Sequence, residues 1–184
     1  LKILGLDPGT RATGWVIYDA EEKRVLATAP EKGGRTQNEL LLRYIVDPSA
    51  AAAAELAGEL PGGREFFTIG RSGIEKITLY QRVNDDVHDT ILWYGKFQYA
   101  LEENEVPTNL YPRSTIRATI CPDLKSPNDS AVIAALKDKV GPPGTKKLPG
   151  PTYGITGHSW QALAAAIHDN LANTLAGCSR SLLT

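Results

Sequence analysis

Between residues 2 and 29 the chain carries three short apolar runs whose connections leave no room for a crossover helix. No other feature restricts the fold as much. "KILGLD" (2–7) suits a buried strand and ends on Asp7. "PGTRATG" follows as a turn punctuated by Pro and Gly. "WVIYD" (15–19) and "RVLATA" (24–29) are two further strands, joined by the polar "DAEEK", which is short enough for a hairpin. Parallel neighbours need a dozen or more connecting residues, so these three strands are expected to be antiparallel.

After residue 29 the pattern changes. A helix is expected over about 36–46, stopped by Asp47–Pro48. The alanine run "SAAAAAELAGEL" reads as a second helical piece capped by Ser49. "REFFTIG" and "GIEKITLY" make a strand region centred on 66–79. "DDVHDTILWYGKFQYALEEN" is a long helix, and "VPTNLYP" a short strand ended by Pro112. Two short helices near 114–120 and 128–139, the loop "GPPGTKKLPGPTYG" and a last helix from about His158 to Ala176 complete the chain. Hairpin strands feeding β-α-β units predict an α/β fold, a mixed sheet with helices on both faces.

The 184 residues match one domain, with no repeat and no linker. No apolar run reaches the ~18–20 residues that span a bilayer, and no signal peptide is expected. Cys121 and Cys178 are too few and too far apart for a zinc site, and a reduced, cytoplasmic protein is expected. The chain opens on Leu and contains no Met, so Leu1 is not expected to be the native start. The net charge of −1 hides an asymmetry: residues 110–148 hold seven basic side chains against three acidic ones, and everything before them is net acidic. A carboxylate site beside a basic substrate face would balance in this way, as would ordinary solvated surfaces.

Three positions could carry chemistry. Asp7 ends the first strand at a Gly-rich turn, where α/β sheets bind ligands, although an Asp can also simply cap "DPGT". Glu75 sits between Ile74 and Ile77 in an apolar strand and is costly to bury unless paired or metal-bound; on a solvated edge strand it would mean nothing. Lys76 should point to the opposite face. In "GHSWQALAAAIHDN", Trp160, Leu163, Ala164, Ile167, Leu171 and Leu175 form an apolar stripe. His158 and Gln161 lie outside it, about 60° apart, and can point at one spot or face water. His168 and Asp169 are at least seven residues further on, more than ~10 Å along the helix, and should not share that site.

The ordered set "ILGLDPGTRATGWVI", "GIEKI" and "GHSWQALAAAI" resembles the RuvC family of Holliday junction resolvases, within the RNase H-like nucleases. The resemblance covers nearly the whole chain. It implies a single RNase H-like nuclease domain over 1–184, an α/β fold with a five-stranded mixed sheet and helices on both faces. It also implies a Mg²⁺-dependent endodeoxyribonuclease with two ions per site, Mn²⁺ being able to substitute. Ions ~3.5–4 Å apart would clamp the attacking water and the leaving 3′-oxygen of a phosphodiester. Asp7 carries over as the bridging ligand, Glu75 as the second, His158 as the third, and Arg117, in "LYPRSTIR", as the basic group near the scissile phosphate. The DNA-contacting set would comprise Arg11, Tyr80, Arg82, Asn84, Arg113, Arg117 and Lys125. The implied partners are branched DNA (four-way junctions, forks or flaps) and a second copy of the chain, with no membrane. The aromatics Trp93, Tyr94, Phe97 and Tyr99 of the long helix would suit that homodimer interface or burial against the sheet. The compact, divergent sequence fits a phage as well as a bacterium.

Two departures matter. The fourth ligand of the family is Asp where this chain has Gln161, a weaker and uncharged oxygen donor for Mg²⁺. The family's Lys near Ser130 is also missing, Lys125 being the nearest. Gln161 therefore leaves open a weakened nuclease, a carboxylate deliberately replaced by an amide, and a non-catalytic junction-binding protein; the second is favoured. An ATP-handling domain of the actin and sugar-kinase type, which "DPGT" also suggests, lacks its second phosphate motif and its adenosine-binding Gly pair here.

Overall fold

The computed structural model describes residues 1–9, 12–29, 35–46, 68–77 and 85–181. Five strands, β1 (Lys2–Asp7), β2 (Gly14–Asp19), β3 (Arg24–Thr28), β4 (Arg71–Lys76) and β5 (Thr108–Pro112), form one sheet in the order β3-β2-β1-β4-β5. The first three pair antiparallel, as their short connections require, while β1–β4 and β4–β5 are parallel. Of the strand region expected at 66–79, residues 71–76 form the strand. The described helices are α1 (Arg35–Val46), α2 (Asp85–Glu103), α3 (Arg113–Ile120), α4 (Asp129–Val140) and α5 (Ser159–Ser181). The alanine run and its cap Ser49, and Arg11, Tyr80, Arg82 and Asn84, lie outside the described residues. No helix among the described residues is long and apolar enough to cross a membrane.

Strand alternation divides the core in two. Ile3, Val16 and Tyr18 face α3, α4 and α5, packing with Ile116, Ile120, Leu136, Trp160 and Leu163. Leu4, Leu6, Trp15, Ile17 and Ile74 face the other way, onto Leu41 and Tyr44 of α1 and Trp93, Phe97 and Leu101 of α2. Helices therefore cover both faces of a five-stranded mixed sheet, as expected. Trp93 and Phe97 stack on each other at 5.8 Å inside this second core, which removes them from any interface; Tyr99 is 64% exposed.

The contact that positions everything else is α5 on the middle of the sheet. Gly5 of β1 and Gly73 of β4 are register partners. A Cβ on Gly5 would lie 2.0 Å from the carbonyl oxygen of Ala162, and one on Gly73 would lie 2.8 Å from that of Ala165. The glycine pair, with the run Ala162, Ala164, Ala165 and Ala166, lets helix and sheet backbones nearly touch. As a result α5 is buried all round from Ser159 to Asp169, rather than along one stripe. Leu171 and Leu175, expected in that stripe, are 40% and 70% exposed. A helix of 23 residues runs about 35 Å, whereas strands of six span about 20 Å, so the last turns of α5 overhang the sheet.

Candidate active site

Asp7 and Glu75 meet because their strands are parallel neighbours. Leu6 pairs with Ile74, so the next residue on each strand, Asp7 and Glu75, stands at the same level near the carboxyl ends. Both have the parity of Gly5 and Gly73 and so face α5. Both are buried. β4 lies between β1 and β5, which rules out the solvated-edge reading of Glu75, and Lys76 is exposed on the opposite face as expected. Burial, and then the charge of Asp7, pushes the Glu75 carboxyl up to about 7, against the pull of Arg113 and Arg117.

His158 precedes the first turn of α5 and its Nδ1 lies 2.9 Å from Asp7 Oδ2. This approach depends on Gly14, the strand partner of Asp7. A Cβ there would lie 2.4 Å from the His158 carbonyl carbon. The hydrogen bond to Asp7 raises the imidazole's pKa, burial opposing it. The turn after Asp7 is tied down by Asn38 of α1, which is buried. Its Oδ1 accepts from the Thr13 N–H at 2.8 Å and its Nδ2 donates to the Gly9 carbonyl at 3.4 Å. An Asn in an ordinary helical stretch gave no sequence signal for this role.

Gln161 is only 5% exposed, so the water-facing reading of this turn fails for it. Its Nε2 donates to Asp129 Oδ1 at 3.2 Å. His158 and Gln161 thus reach two different carboxylates. Asp129 was not anticipated from the sequence. It opens α4 directly after the cap Asn128, and an acid in a first turn reads as a complement to the helix dipole. In the structure it is the hub of a charged cluster. Arg117 Nη2 donates to it, Arg113 Nη2 donates at 3.2 Å, and Arg113 Nε also stands 3.6 Å from Glu75 Oε1. Arg117 Nη1 donates to the Pro127 carbonyl at 2.9 Å. Arg113, Arg117 and Lys125 line a cavity of about 410 Å³ with Ser114, Ser126 and Asn128, so these three expected DNA contacts do come together.

The donor chemistry fits a hard divalent cation. Glu75 Oε2 and Gln161 Oε1 are buried without a hydrogen-bond partner, and both are oxygen acceptors beside Asp7, His158 and Asp129. Among the described residues no three His, Cys, Asp or Glu side chains lie close enough together to hold an ion as they stand. The guanidinium of Arg113 reaches both Glu75 and Asp129.

His168 and Asp169 belong elsewhere, as their distance along the helix implied. Asp169 is fully buried and accepts from Arg71 Nε (2.6 Å), Asn109 Nδ2 (2.8 Å), Tyr111 Oη (2.9 Å) and Asn173 Nδ2 (3.1 Å). His168 Nδ1 lies 2.8 Å from Thr119 Oγ1.

The arrangement of strands and helices has a counterpart among solved structures. A structure of Thermus thermophilus RuvC superposes with a TM-score of 0.64, covering 96% of this chain and 97% of that one at 18% identity. The chain has the RuvC fold. A second structure, T. thermophilus RuvC in complex with a Holliday junction substrate, superposes with a TM-score of 0.63 over 95% of this chain and 96% of that one, at 16% identity. No family model and no curated protein matches the sequence.

Proposed function

We propose that this chain is a metal-dependent, structure-selective DNA endonuclease that resolves four-way junctions or related forks by phosphodiester hydrolysis. The observation that carries the reading is the placement of Asp7 and Glu75 side by side on the α5 face of two parallel strands, with His158 bonded to Asp7. RuvC folds of nearly equal length, one of them seen with a Holliday junction, support it.

Asp7, Glu75, His158 and the Gln161 carbonyl would hold Mg²⁺ or Mn²⁺, which supplies Lewis-acid charge for the developing phosphorane and the leaving oxygen. Water attacks phosphorus, the P–O3′ bond breaks, and a proton ends on the departing 3′-oxygen. His158, its side chain mostly exposed and anchored through Nδ1, offers Nε2 to the ion or, in its place, to that water. Arg113, Arg117 and Lys125 offer the positive wall along which the strand's phosphates lie. Two matched nicks need two copies related by a two-fold axis. Ile91, Leu92 and Tyr99, exposed along α2, form the face we assign to that homodimer.

The test is a labelled four-way junction incubated with Mg²⁺ or Mn²⁺. Wild type should give paired, symmetric nicks, and Asp7→Asn should abolish them while binding the junction nearly as well. Affinity lost on the same scale would make Asp7 a structural residue and sink the reading. One observation favours a second reading, a junction-binding protein that does not cut: Gln161 brings no charge to the site. Gln161→Asp separates the two. A variant that binds junctions and never nicks them supports binding alone.

A further inference from the structure

Two of the most buried polar side chains in the cluster each aim an oxygen at nothing. Glu75 is 8% exposed and Gln161 5%, and neither Glu75 Oε2 nor Gln161 Oε1 has a donor. While Glu75 is ionised both are acceptors and cannot satisfy each other; a cation satisfies both. A dication held there by one carboxylate and one amide would be short of negative charge. Asp7 stands beside Glu75, and the carboxylate on the Gln161 side is Asp129, bonded to Gln161 Nε2 and linked through Arg113 to Glu75.

The ordinary reading of Asp129 is a helix-dipole acid paired with surface arginines. Two facts go beyond it. The capping task is already done by Asn128, whose Oδ1 accepts from the Ala131 N–H at 2.9 Å, so the Asp129 carboxylate is not committed to backbone. And Gln161, buried on another element, turns its amide nitrogen toward Asp129 and leaves its oxygen for something else. Resting on the metal-dependent reading above, we propose that Asp129 supplies the carboxylate charge that the amide at 161 lacks. With Glu75 and Gln161 it makes a cation position beside the Arg113 guanidinium, which competes for Glu75 and Asp129. Arg113 is 44% exposed and borders the basic cavity, where a phosphate oxygen can receive it once displaced.

Mn²⁺ titrated into the full chain without DNA, with free Mn²⁺ followed by electron paramagnetic resonance, tests this directly. Wild type should show two sites. Asp129→Asn should weaken one of them about 10–100-fold and leave the other. Adding Gln161→Asp to that variant should restore it. Arg113→Ala should tighten the same site, because it removes the competing cation. An Asp129→Asn titration identical to wild type, or weaker binding by Arg113→Ala, overturns the proposal. Asp7→Asn keeps the two levels apart. If Asp7→Asn loses Mn²⁺ and Asp129→Asn does not, Asp129 alone is misassigned. If neither variant changes the titration, the metal-dependent reading falls with it.

Discussion

Gly5→Ala tests the contact on which the whole site depends. The added Cβ would sit 2.0 Å from the Ala162 carbonyl oxygen, 2.9 Å from its carbon and 3.0 Å from Ala166 Cβ. Ordinary contact begins at 3.4 Å, so strand and helix must part by about 1.4 Å. Overpacking costs about 1–3 kcal/mol, and here both partners are backbone atoms that no rotamer change can move, which puts the cost near 3 kcal/mol or above. For a chain of this size that lowers Tm by about 6–12 °C. The same displacement moves His158 and Gln161 away from Asp7 and Asp129, and a misplacement of about 1 Å costs on the order of 10²-fold in rate. Gly95→Ala is the control. Gly95 lies inside α2 with nothing within 4 Å of its would-be Cβ, so this change should stabilise by about 0.5–1 kcal/mol through helix propensity. Thermal melts followed by circular dichroism read both variants. A Gly5→Ala protein that melts with wild type refutes the close-packing argument, whatever its activity.

Arg71→Met should cost about 3–5 kcal/mol in urea denaturation, since it strips the charge partner from the fully buried Asp169; adding Asp169→Asn should recover part of that, and a single variant as stable as wild type would show the pair to be dispensable. Burial holds the His168 imidazole below its usual pKa, so the unfolded chain takes up that proton first. The associated stability is complete above about pH 6.5 and declines as pH falls below it, and His168→Gln should flatten that limb relative to wild type; parallel curves would contradict the burial argument. On the basic wall, Lys125→Ala should lower junction affinity across sequences and reduce the slope of log K against log salt by about 1, and an unchanged slope would remove Lys125 from the DNA face.

Local pattern was enough for much of this protein. The hairpin-length connections made the first three strands antiparallel, and apolar alternation put Asp7 and Glu75 on strands. Spacing along α5 separated His168 and Asp169 from the first turn. These inferences survive because period, connection length and turn chemistry are properties of a few adjacent residues. What depended on distant approach was not legible. Gly5, Gly73 and Gly14 look like unremarkable strand glycines until a helix some 85–160 positions later is laid against them, and only then is it clear why α5 is buried on every side from Ser159 to Asp169. Trp93 and Phe97 were equally suited to an interface or a core, and the packing of α2 on the sheet decided for the core. Gln161 read alone was a polar first-turn residue, and beside the family pattern a missing carboxylate. The tertiary structure sets it against Asp129, a first-turn acid whose own neighbours in the chain explain it completely, because the charge balance of a site is summed over space rather than along sequence.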